Sequence, residues 1–456
     1  MIGTARSGVL PEAPALLTSR TITADLMEQL LLKVILQLTI IMLVARLFAV
    51  AFQRLGQPAV CGEMAAGLVL GPSLLGKLFP NLFRSVFDPS TGHTLTIFSQ
   101  LGLVLLLFLI GMEFEFRHLP DHGRKAAGIS VAGILMPFGC GLLLARFIYR
   151  FVAKDTSFVG FALFVATAMS ITALPTLGRI LTEFNLNGTH IGVMAITAAA
   201  LDDVAGWTIL ASINAIVRSN FHLALTLKML LETLAFALFL LFGMRPLLKR
   251  WTRHVMHVEG SQLSFTTLAV VLALVFGAAM VTNLIGIFSI FGAFMMGAIF
   301  FDQSEFRRAV ALRLRDLVYV LFVPVFFVYT GLRTDIGSMT SPLLWQLCGL
   351  VVVVAIAAKG GGCMLAARCG GLSWRDSTCI GVLMNTRGLM ELIVLNVGYD
   401  LGVIPKSVFF MLTVMAVVTT YMTAPLLRRL FRATEFDLVD PAWLPAVPAN
   451  AEAQTQ

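Results

Sequence analysis

Long, continuous apolar runs recur along this chain of 456 residues, and they constrain its fold more than any other feature. Each run is long enough to cross a bilayer as a helix, which takes about 20 residues. The strands of a membrane barrel would instead alternate apolar and polar residues over about ten positions. Hydrophobic residues make up 58% of the chain and charged residues only 13%, which excludes an ordinary soluble protein. The sequence therefore predicts an all-α polytopic membrane protein.

Apolar length, bounded by glycine, proline and charged residues, predicts about 13 transmembrane helices. They form one transmembrane domain over residues 28–430, between an extracytoplasmic tail at 1–27 and a short cytoplasmic tail at 431–456. The lipid bilayer is thus an expected partner and nucleic acid is not, because the basic residues lie in short loops between the spans. The predicted spans are residues 29–52, 57–76, 96–113, 126–149, 157–180, 190–217, 224–244, 262–283, 285–301, 316–333, 342–367, 376–400 and 405–427.

Basic residues predict the orientation of these spans. Cytoplasmic loops of membrane proteins carry an excess of lysine and arginine. The opposite loops carry few, such as Arg218, Arg333 and Lys406. We therefore expect an extracytoplasmic N-terminus and a cytoplasmic C-terminus, in a bacterial inner membrane. The basic residues that follow odd-numbered spans are Arg117, Arg124, Lys125, Arg245, Lys249, Arg250, Arg253, Arg307, Arg308, Arg313, Arg315, Arg368, Arg375, Arg428, Arg429 and Arg432.

Two adjacent carboxylates, Asp202 and Asp203, interrupt the apolar segment 191–217. An ionised side chain at mid-bilayer costs roughly 2.5–3.5 kcal/mol, so this pair needs a function or a partner. Adjacent helical residues point about 100° apart, so one carboxylate can face a water-filled cavity while the other faces a neighbouring helix. Apolar residues continue on both sides, which disfavours a helix end in the headgroup region. We interpret the pair as a cation and proton site.

Lys359 lies about midway along the apolar segment 342–367. At that depth the side chain cannot easily reach the membrane surface. A buried ammonium needs a carboxylate or loses its proton, and Asp202 or Asp203 is the obvious partner.

Two spans contain residues that disrupt helices. Thr167, Ser170 and Thr172 precede a proline in the fifth span, and residues 384–391 of the twelfth span are polar and contain glycine. In secondary transporters, broken helices present unpaired N–H and C=O groups to ions. The alternative is that these small residues only allow close helix packing.

Three further polar residues of the twelfth span are expected to support the site. Arg387 and Glu391 are four residues apart and should pair with each other across a helical turn. Asn385 precedes them in the same polar segment.

The chain resembles the second monovalent cation:proton antiporter family, and in particular its plant-type cation/proton exchanger branch. The resemblance is carried by residues 62–76, 107–113 and 384–396 and by the Asp202-Asp203 pair. It implies a sodium/proton antiporter fold with inverted repeats and two crossed, broken helices. It also implies a core domain and a dimerisation domain, a homodimer, and an elevator-like movement of the core.

The same resemblance assigns roles by position. Asp203 would be the main carboxylate that binds a monovalent cation or a proton, and Asp202 would pair with Lys359. Thr167 would lie at the break of the crossing helix, with Ser170 and Thr172 nearby. The implied activity is exchange of Na+ or K+ for H+ by alternating access, with a role in pH homeostasis. We expect neither an enzymatic activity nor a cofactor.

Other functions remain open from the sequence. A K+-selective efflux system or a cation channel could use the same fold, although a channel needs a continuous polar path and no repeated filter motif is apparent. An intramembrane aspartyl protease needs two carboxylates that share a proton, which adjacent, divergent residues do not favour. The choice between Na+ and K+ depends on cavity size, which the sequence does not give.

Overall fold

The computed structural model describes residues 15–88, 91–113, 119–153, 156–184, 186, 189–219, 222–260 and 262–430, and within these residues all regular structure is helical. Three π-helical segments join consecutive helices, at Phe239–Met244, Val318–Phe322 and Ile356–Gly360. The α-helices are α1 (Ala15–Arg54), α2 (Ala59–Leu70), α3 (Leu75–Leu78), α4 (Pro80–Val86), α5 (Gly92–Glu113), α6 (Leu119–Val152), α7 (Phe158–Ser170), α8 (Leu174–Glu183), α9 (His190–Arg218), α10 (Leu223–Leu238), α11 (Arg245–Glu259), α12 (Phe265–Ile285), α13 (Ser289–Ala298), α14 (Ser304–Leu317), α15 (Val323–Arg333), α16 (Pro342–Ala355), α17 (Gly361–Cys369), α18 (Trp374–Met384), α19 (Leu389–Asp400) and α20 (Lys406–Leu430).

The prediction of a polytopic helical membrane protein is confirmed, but the count of thirteen spans is not. Nine helices within the described residues are long and apolar enough to cross a membrane, and α18 with α19 adds a tenth as a pair bent by 42°. The predicted span 157–180 is divided between α7 and α8, of 13 and 10 residues. The span 285–301 corresponds to α13, which has only 10 residues. Helix α1 begins at Ala15, inside the segment predicted to be a tail.

Two of the helical segments are broken and cross each other, as the resemblance implies. Helix α7 ends at Ser170 and α8 begins at Leu174, where Pro175 suits a first turn because its missing N–H would have no partner there. Helix α18 ends at Met384, and α19 begins at Leu389. The extended segments between the half-helices touch, because the Ala173 N–H donates to the Thr386 carbonyl oxygen at 3.2 Å.

Glycine permits this crossing to be close. A Cβ atom on Gly388 would lie 2.6 Å from the Thr176 hydroxyl oxygen, closer than real side chains approach. The second break can therefore lie against the first turn of α8 only without a side chain at this position.

The helices pack in two groups. One group, which we call the scaffold, contains α1, α2, α5, α12, α13 and α15. The other, which we call the core, contains both broken helices together with α6, α9, α16 and α17. At one contact between the groups, Trp207 of α9 packs on Phe291 and Phe294 of α13, with ring centroids 5.4 and 5.6 Å apart. The core thus holds the predicted site, and the scaffold lies beside it.

Candidate cation and proton site

The first carboxylate of the acidic pair is fully engaged. Asp202 and Lys359 are both completely buried, and the ammonium nitrogen lies 2.6 Å from Asp202 Oδ2. Ser130 of α6 donates to Asp202 Oδ1 at 2.6 Å. Thr172, in the break after α7, is 2.9 Å from Oδ2 and 3.1 Å from the Met384 carbonyl oxygen. Asp202 therefore connects α9 to α6, to the Lys359 segment and to the crossing.

Lys359 also contacts two backbone carbonyls. Its ammonium donates to the carbonyl oxygens of Gly133 at 2.8 Å and Ser170 at 2.5 Å. Together with Asp202, these two acceptors use all three donors of the ammonium. Lys359 is thus a structural cation that joins α6, α7 and α9.

Asp203 has a different environment from its neighbour. Its side chain is buried, yet neither carboxylate oxygen has a hydrogen-bond partner of normal geometry among the described residues. The backbone N–H of Leu174, the first residue of α8, is the polar group that acts on it from the crossing. The positive end of a helix dipole and its free N–H groups favour an anion at that point. Asp203 is therefore a buried acceptor with unused coordinating capacity.

Two cationic side chains cap the C-terminal end of α7 by donating hydrogen bonds to its last carbonyl oxygens. The last carbonyls of a helix have no partner within it. Arg387 donates to the carbonyl oxygens of Ala168 and of Met169, the latter at 2.5 Å. Lys359 donates to the carbonyl oxygen of Ser170. Both cations lie where the helix dipole is negative. The backbone of Arg387 is itself held by Thr420, which accepts from its N–H at 3.0 Å and donates to its carbonyl at 2.7 Å.

Glu391 lies beside this guanidinium. Arg387 Nη1 is 3.7 Å from Glu391 Oε2, and both side chains are buried. Neither oxygen of Glu391 makes a hydrogen bond within the described part of the chain, and the same is true of the buried Asn385 Oδ1. The expected i, i+4 pair is present, but as an ion pair without a hydrogen bond.

The remaining predicted hydroxyls are used within their own helix. Thr167 donates to the Leu163 carbonyl at 2.7 Å, and Ser170 donates to that of Ala166 at 2.7 Å. Thr167 lies one turn before the break in α7, and both side chains are buried. Their oxygen atoms keep lone pairs that can still accept.

Several contributors were not predicted from the sequence. Ser130, the Gly133 carbonyl and Thr420 lie in other helices, far from the acidic pair along the chain. A serine or threonine within an apolar run is a weak signal, because most such hydroxyls bond to their own helix.

Comparison with known proteins agrees with this geometry. The family model described as "Sodium/hydrogen exchanger, transmembrane" matches residues 39–431, which is most of the chain. This chain belongs to the sodium/hydrogen exchanger family. The fold with two crossed, broken helices is thus placed within a family of transporters.

Curated relatives of this exchanger cover most of the chain. The Na(+)/H(+) antiporter NhaS4 of Synechocystis sp. is 38% identical over 405 residues, which are 88% of this chain and 98% of the relative. Cation/H(+) antiporter 17 of Arabidopsis thaliana is 36% identical over 89% of this chain but only 49% of the relative. K(+)/H(+) antiporter 1 of Saccharomyces cerevisiae is 32% identical over 86% of this chain and 45% of the relative. The chain thus spans about half the length of the plant and yeast proteins.

A solved structure supports the fold. The sodium proton antiporter MjNhaP1 from Methanocaldococcus jannaschii at pH 8 aligns with a TM-score of 0.61 over 87% of this exchanger and 96% of that chain. Sequence identity is 15%, so this likeness concerns the fold alone.

Proposed function

We propose that this exchanger is a secondary antiporter that moves Na+ or K+ in one direction and protons in the other, by alternating access. The observation that carries the proposal is the contrast within the acidic pair. Both oxygens of Asp202 are hydrogen-bonded, to Lys359, Ser130 and Thr172, whereas the buried Asp203 has no hydrogen-bond partner of normal geometry within the described residues. One carboxylate can hold a proton or a desolvated cation but not both, so the two ions compete and exchange is obligatory.

The crossing would supply the remaining ligands. In broken-helix transporters, backbone carbonyls and hydroxyls replace the hydration shell of the ion. We propose that the hydroxyls of Thr167, Ser170 and Thr172 are among these ligands. They belong to the last turn of α7 and to the break that follows it, and this part of the chain contacts Asp202 and Lys359. Arg387, Glu391 and Asn385 would support the same crossing from its other side.

Both monovalent cations are candidates. The names of relatives specify Na+ for the Synechocystis protein and K+ for the yeast protein. Oxygen ligands of this kind bind either ion, and selectivity depends on cavity size and ligand number. A K+-selective efflux activity is therefore retained as the alternative within the same mechanism.

A transporter explains the acidic pair better than an aspartyl protease would. A protease of that type needs two carboxylates that share one proton. Asp202 instead accepts hydrogen bonds from a lysine and two hydroxyls, and within the described residues no hydrogen bond joins it to Asp203.

We further propose that the C-terminal end faces the cytoplasm of a bacterial cell and that the protein acts as a homodimer in the inner membrane. Basic residues predicted on the cytoplasmic side make two separate sets of contacts. Arg245 and Lys249 both pair with Asp302, just before α14, and Arg428 donates to the Gly56 carbonyl. An excess of basic residues marks the cytoplasmic side. The dimer is implied by the family resemblance.

The test is proton flux in proteoliposomes with a pH-sensitive dye inside, after addition of Na+, K+ or choline. We expect Na+ or K+ to move protons and choline not to. Asp203→Asn should lose this flux while remaining folded. Glu232→Gln, on the exposed face of α10, is the matched control and should keep it. If Asp203→Asn retains the wild-type flux, Asp203 is not the exchange site. Cation flux without proton movement would indicate a channel.

A further inference from the structure

The last two turns of α6 carry two arginines, Arg146 and Arg150, whose side chains are exposed. Neither guanidinium makes a hydrogen bond or an ion pair with another residue that the structure describes. The two arginines are four residues apart, so they are neighbours on one face of the helix, where like charges destabilise each other. An anion bound between them would remove this repulsion.

The position of these arginines along α6 places them at the depth of lipid headgroups. Arg124 and Lys125 mark the cytoplasmic end of this helix in the orientation that we propose. The path along the helix from residue 124 to residue 146 is about 33 Å, because an α-helix rises about 1.5 Å per residue. The hydrocarbon core of a bilayer is about 30 Å thick. Arg146 and Arg150 therefore reach the headgroups of the extracytoplasmic leaflet, on the side where basic residues are less common.

The two arginines line an open cavity of about 610 Å³ between the end of α6 and the start of α7. One wall of this cavity is fixed by contacts within the core. The Tyr149 hydroxyl donates to the Thr156 carbonyl oxygen at 2.6 Å, and the Tyr149 ring packs on that of Phe158 with centroids 5.1 Å apart. The cavity thus has a rigid aromatic wall. Its lining residues are Leu143, Arg146, Phe147, Tyr149, Arg150 and Phe158.

Apolar side chains on the same face of α6 surround the positive charge. Leu143 is 72% exposed and Phe147 is 44% exposed, as expected for residues that contact lipid. The Arg150 guanidinium lies over the rings of Phe147 and Phe151, at 5.3 and 4.9 Å from their centroids. Such cation–π contacts hold the guanidinium at the edge of the apolar surface. A guanidinium can bind a phosphate through two parallel hydrogen bonds. The cavity therefore combines a phosphate-binding group with a surface for acyl chains.

We propose that Arg146 and Arg150 bind the phosphate of one anionic glycerophospholipid from the extracytoplasmic leaflet. Charge complementarity favours a headgroup with a net negative charge, because a zwitterionic headgroup brings its own cation close to the guanidiniums. Leu143 and Phe147 would contact the glycerol backbone and the acyl chains. Helix α6 also supplies Ser130 and the Gly133 carbonyl to the candidate ion site. The lipid would therefore be attached to the core and not to the scaffold.

Native mass spectrometry of the purified protein tests this site, because it counts the lipids that remain bound after titration with phosphatidylglycerol or phosphatidylcholine. The wild-type protein should retain phosphatidylglycerol in preference to phosphatidylcholine. The variant Arg146→Gln with Arg150→Gln should retain one molecule of phosphatidylglycerol fewer per chain, since both charge-assisted contacts to the phosphate are lost. The matched control is Lys77→Gln with Arg84→Gln. It removes two positive charges from exposed residues of α3 and α4 on the same side of the membrane and should keep the full number of lipids.

Three results would overturn the proposal. The first is an unchanged lipid count in the arginine variant, which would mean that the two side chains only extend into water. The second is an equal loss in the control variant, which would mean that net charge and not the cavity attracts the lipid. The third is displacement of the lipid by millimolar inorganic phosphate, which would indicate a site for a free anion. If the arginine variant does not fold, Arg146→Gln alone gives the same comparison, because it leaves the contacts of Arg150 with the aromatic rings intact.

Discussion

At the scale of single residues, two neighbouring aspartates have opposite environments. Asp202 is hydrogen-bonded to an ammonium and two hydroxyls, and Asp203 has no such partners among the residues that the structure describes. The difference follows from helix geometry, because side chains about 100° apart face different neighbours. A chemically identical pair is thereby divided into a member that is hydrogen-bonded at both oxygens and a member that we propose as the ion-binding carboxylate.

This contrast predicts opposite effects on stability. Asp202→Asn leaves the buried ammonium of Lys359 without its counter-ion, which typically costs about 3–5 kcal/mol. Asp203→Asn removes a buried charge whose oxygens make no hydrogen bond of normal geometry within the described residues, so stability should stay the same or increase. Thermal unfolding of the two variants in detergent, beside the wild-type protein, measures both effects. Equal losses in the two variants would contradict this assignment.

The sequence predicts part of this site and misses the rest. A lysine deep in an apolar run must find a carboxylate, so Lys359 can be matched to the acidic pair without a structure. The contacts of Ser130 and of the Gly133 carbonyl cannot be predicted in this way, because they depend on how α6 lies against α9 and against the segment that carries Lys359. Likewise, the choice of Asp202 as the lysine partner came from the family resemblance and not from spacing.

At the scale of elements, close crossings depend on glycine. Helices α5 and α13 cross where a Cβ atom on Gly297 would overlap the Phe108 carbonyl oxygen. Small residues at such positions let backbones approach within a membrane, where packing is a main driving force for association.

Substitution at this crossing should therefore destabilise the scaffold. We expect Gly297→Ala to lower the free energy of unfolding by about 1–3 kcal/mol, since the new methyl group must separate α5 from α13. Gly277→Ala in α12 is the matched control, because a Cβ atom there meets nothing within 4 Å. Chemical denaturation in detergent compares the two. A Gly297→Ala protein as stable as Gly277→Ala would show that the crossing is not tightly packed.

The ion pairs before α14 give a pH-dependent contribution to stability. Burial alone would raise the pKa of Asp302, but hydrogen bonds and charges from Lys249 and Arg245 outweigh it and lower that pKa below its ordinary value. A lowered folded-state pKa stabilises the protein at pH values above the unfolded pKa of about 3.9, and this stabilisation is lost as the pH falls through the folded-state value. The melting temperature of the wild-type protein should thus exceed that of Asp302→Asn at pH 7, and the difference should shrink below about pH 4. A difference that does not change with pH would contradict this origin.

The breaks in two helices could be predicted from the sequence, whereas the number of membrane spans could not be confirmed. Hydroxyls, proline and glycine at membrane depth correctly predicted the two broken helices, since these residues weaken the backbone hydrogen-bond ladder. The count of thirteen spans is not confirmed, because helices as short as α7, α8 and α13 fall below the length that crosses a membrane as one continuous helix.

At the scale of the whole molecule, the contact between core and scaffold must change if access to the site alternates between the two sides. Arg333, at the end of α15, pairs with Asp400 of α19 at 2.7 Å and with Asn396 at 3.1 Å. This cluster joins a scaffold helix to the end of a broken core helix. It therefore belongs to one arrangement of the two groups.

A covalent link at this contact should stop transport. Arg333→Cys combined with Asp400→Cys, in a background with the exposed Cys369→Ser, can be joined by a short bifunctional maleimide. We expect the linked protein to lose cation-driven proton flux, while each single cysteine variant keeps it after the same treatment. Full flux in fully linked protein would show that α15 and α19 do not separate during the cycle.

The sequence alone predicts a helical, polytopic membrane protein, because apolar runs of bilayer length are compatible with few other kinds of fold. The family resemblance added the crossing and the roles of the carboxylates, which composition alone could not give.

The most direct test of the central claim, competition of a cation and a proton for one carboxylate, is the KM for Na+ or K+ as a function of pH in proteoliposomes. Competition at Asp203 predicts that KM rises tenfold for each unit by which the pH falls through the acidic range, while the maximal rate at saturating cation stays nearly constant. A KM that does not change with pH, with the maximal rate falling instead, would contradict competition and would place the proton on a separate group.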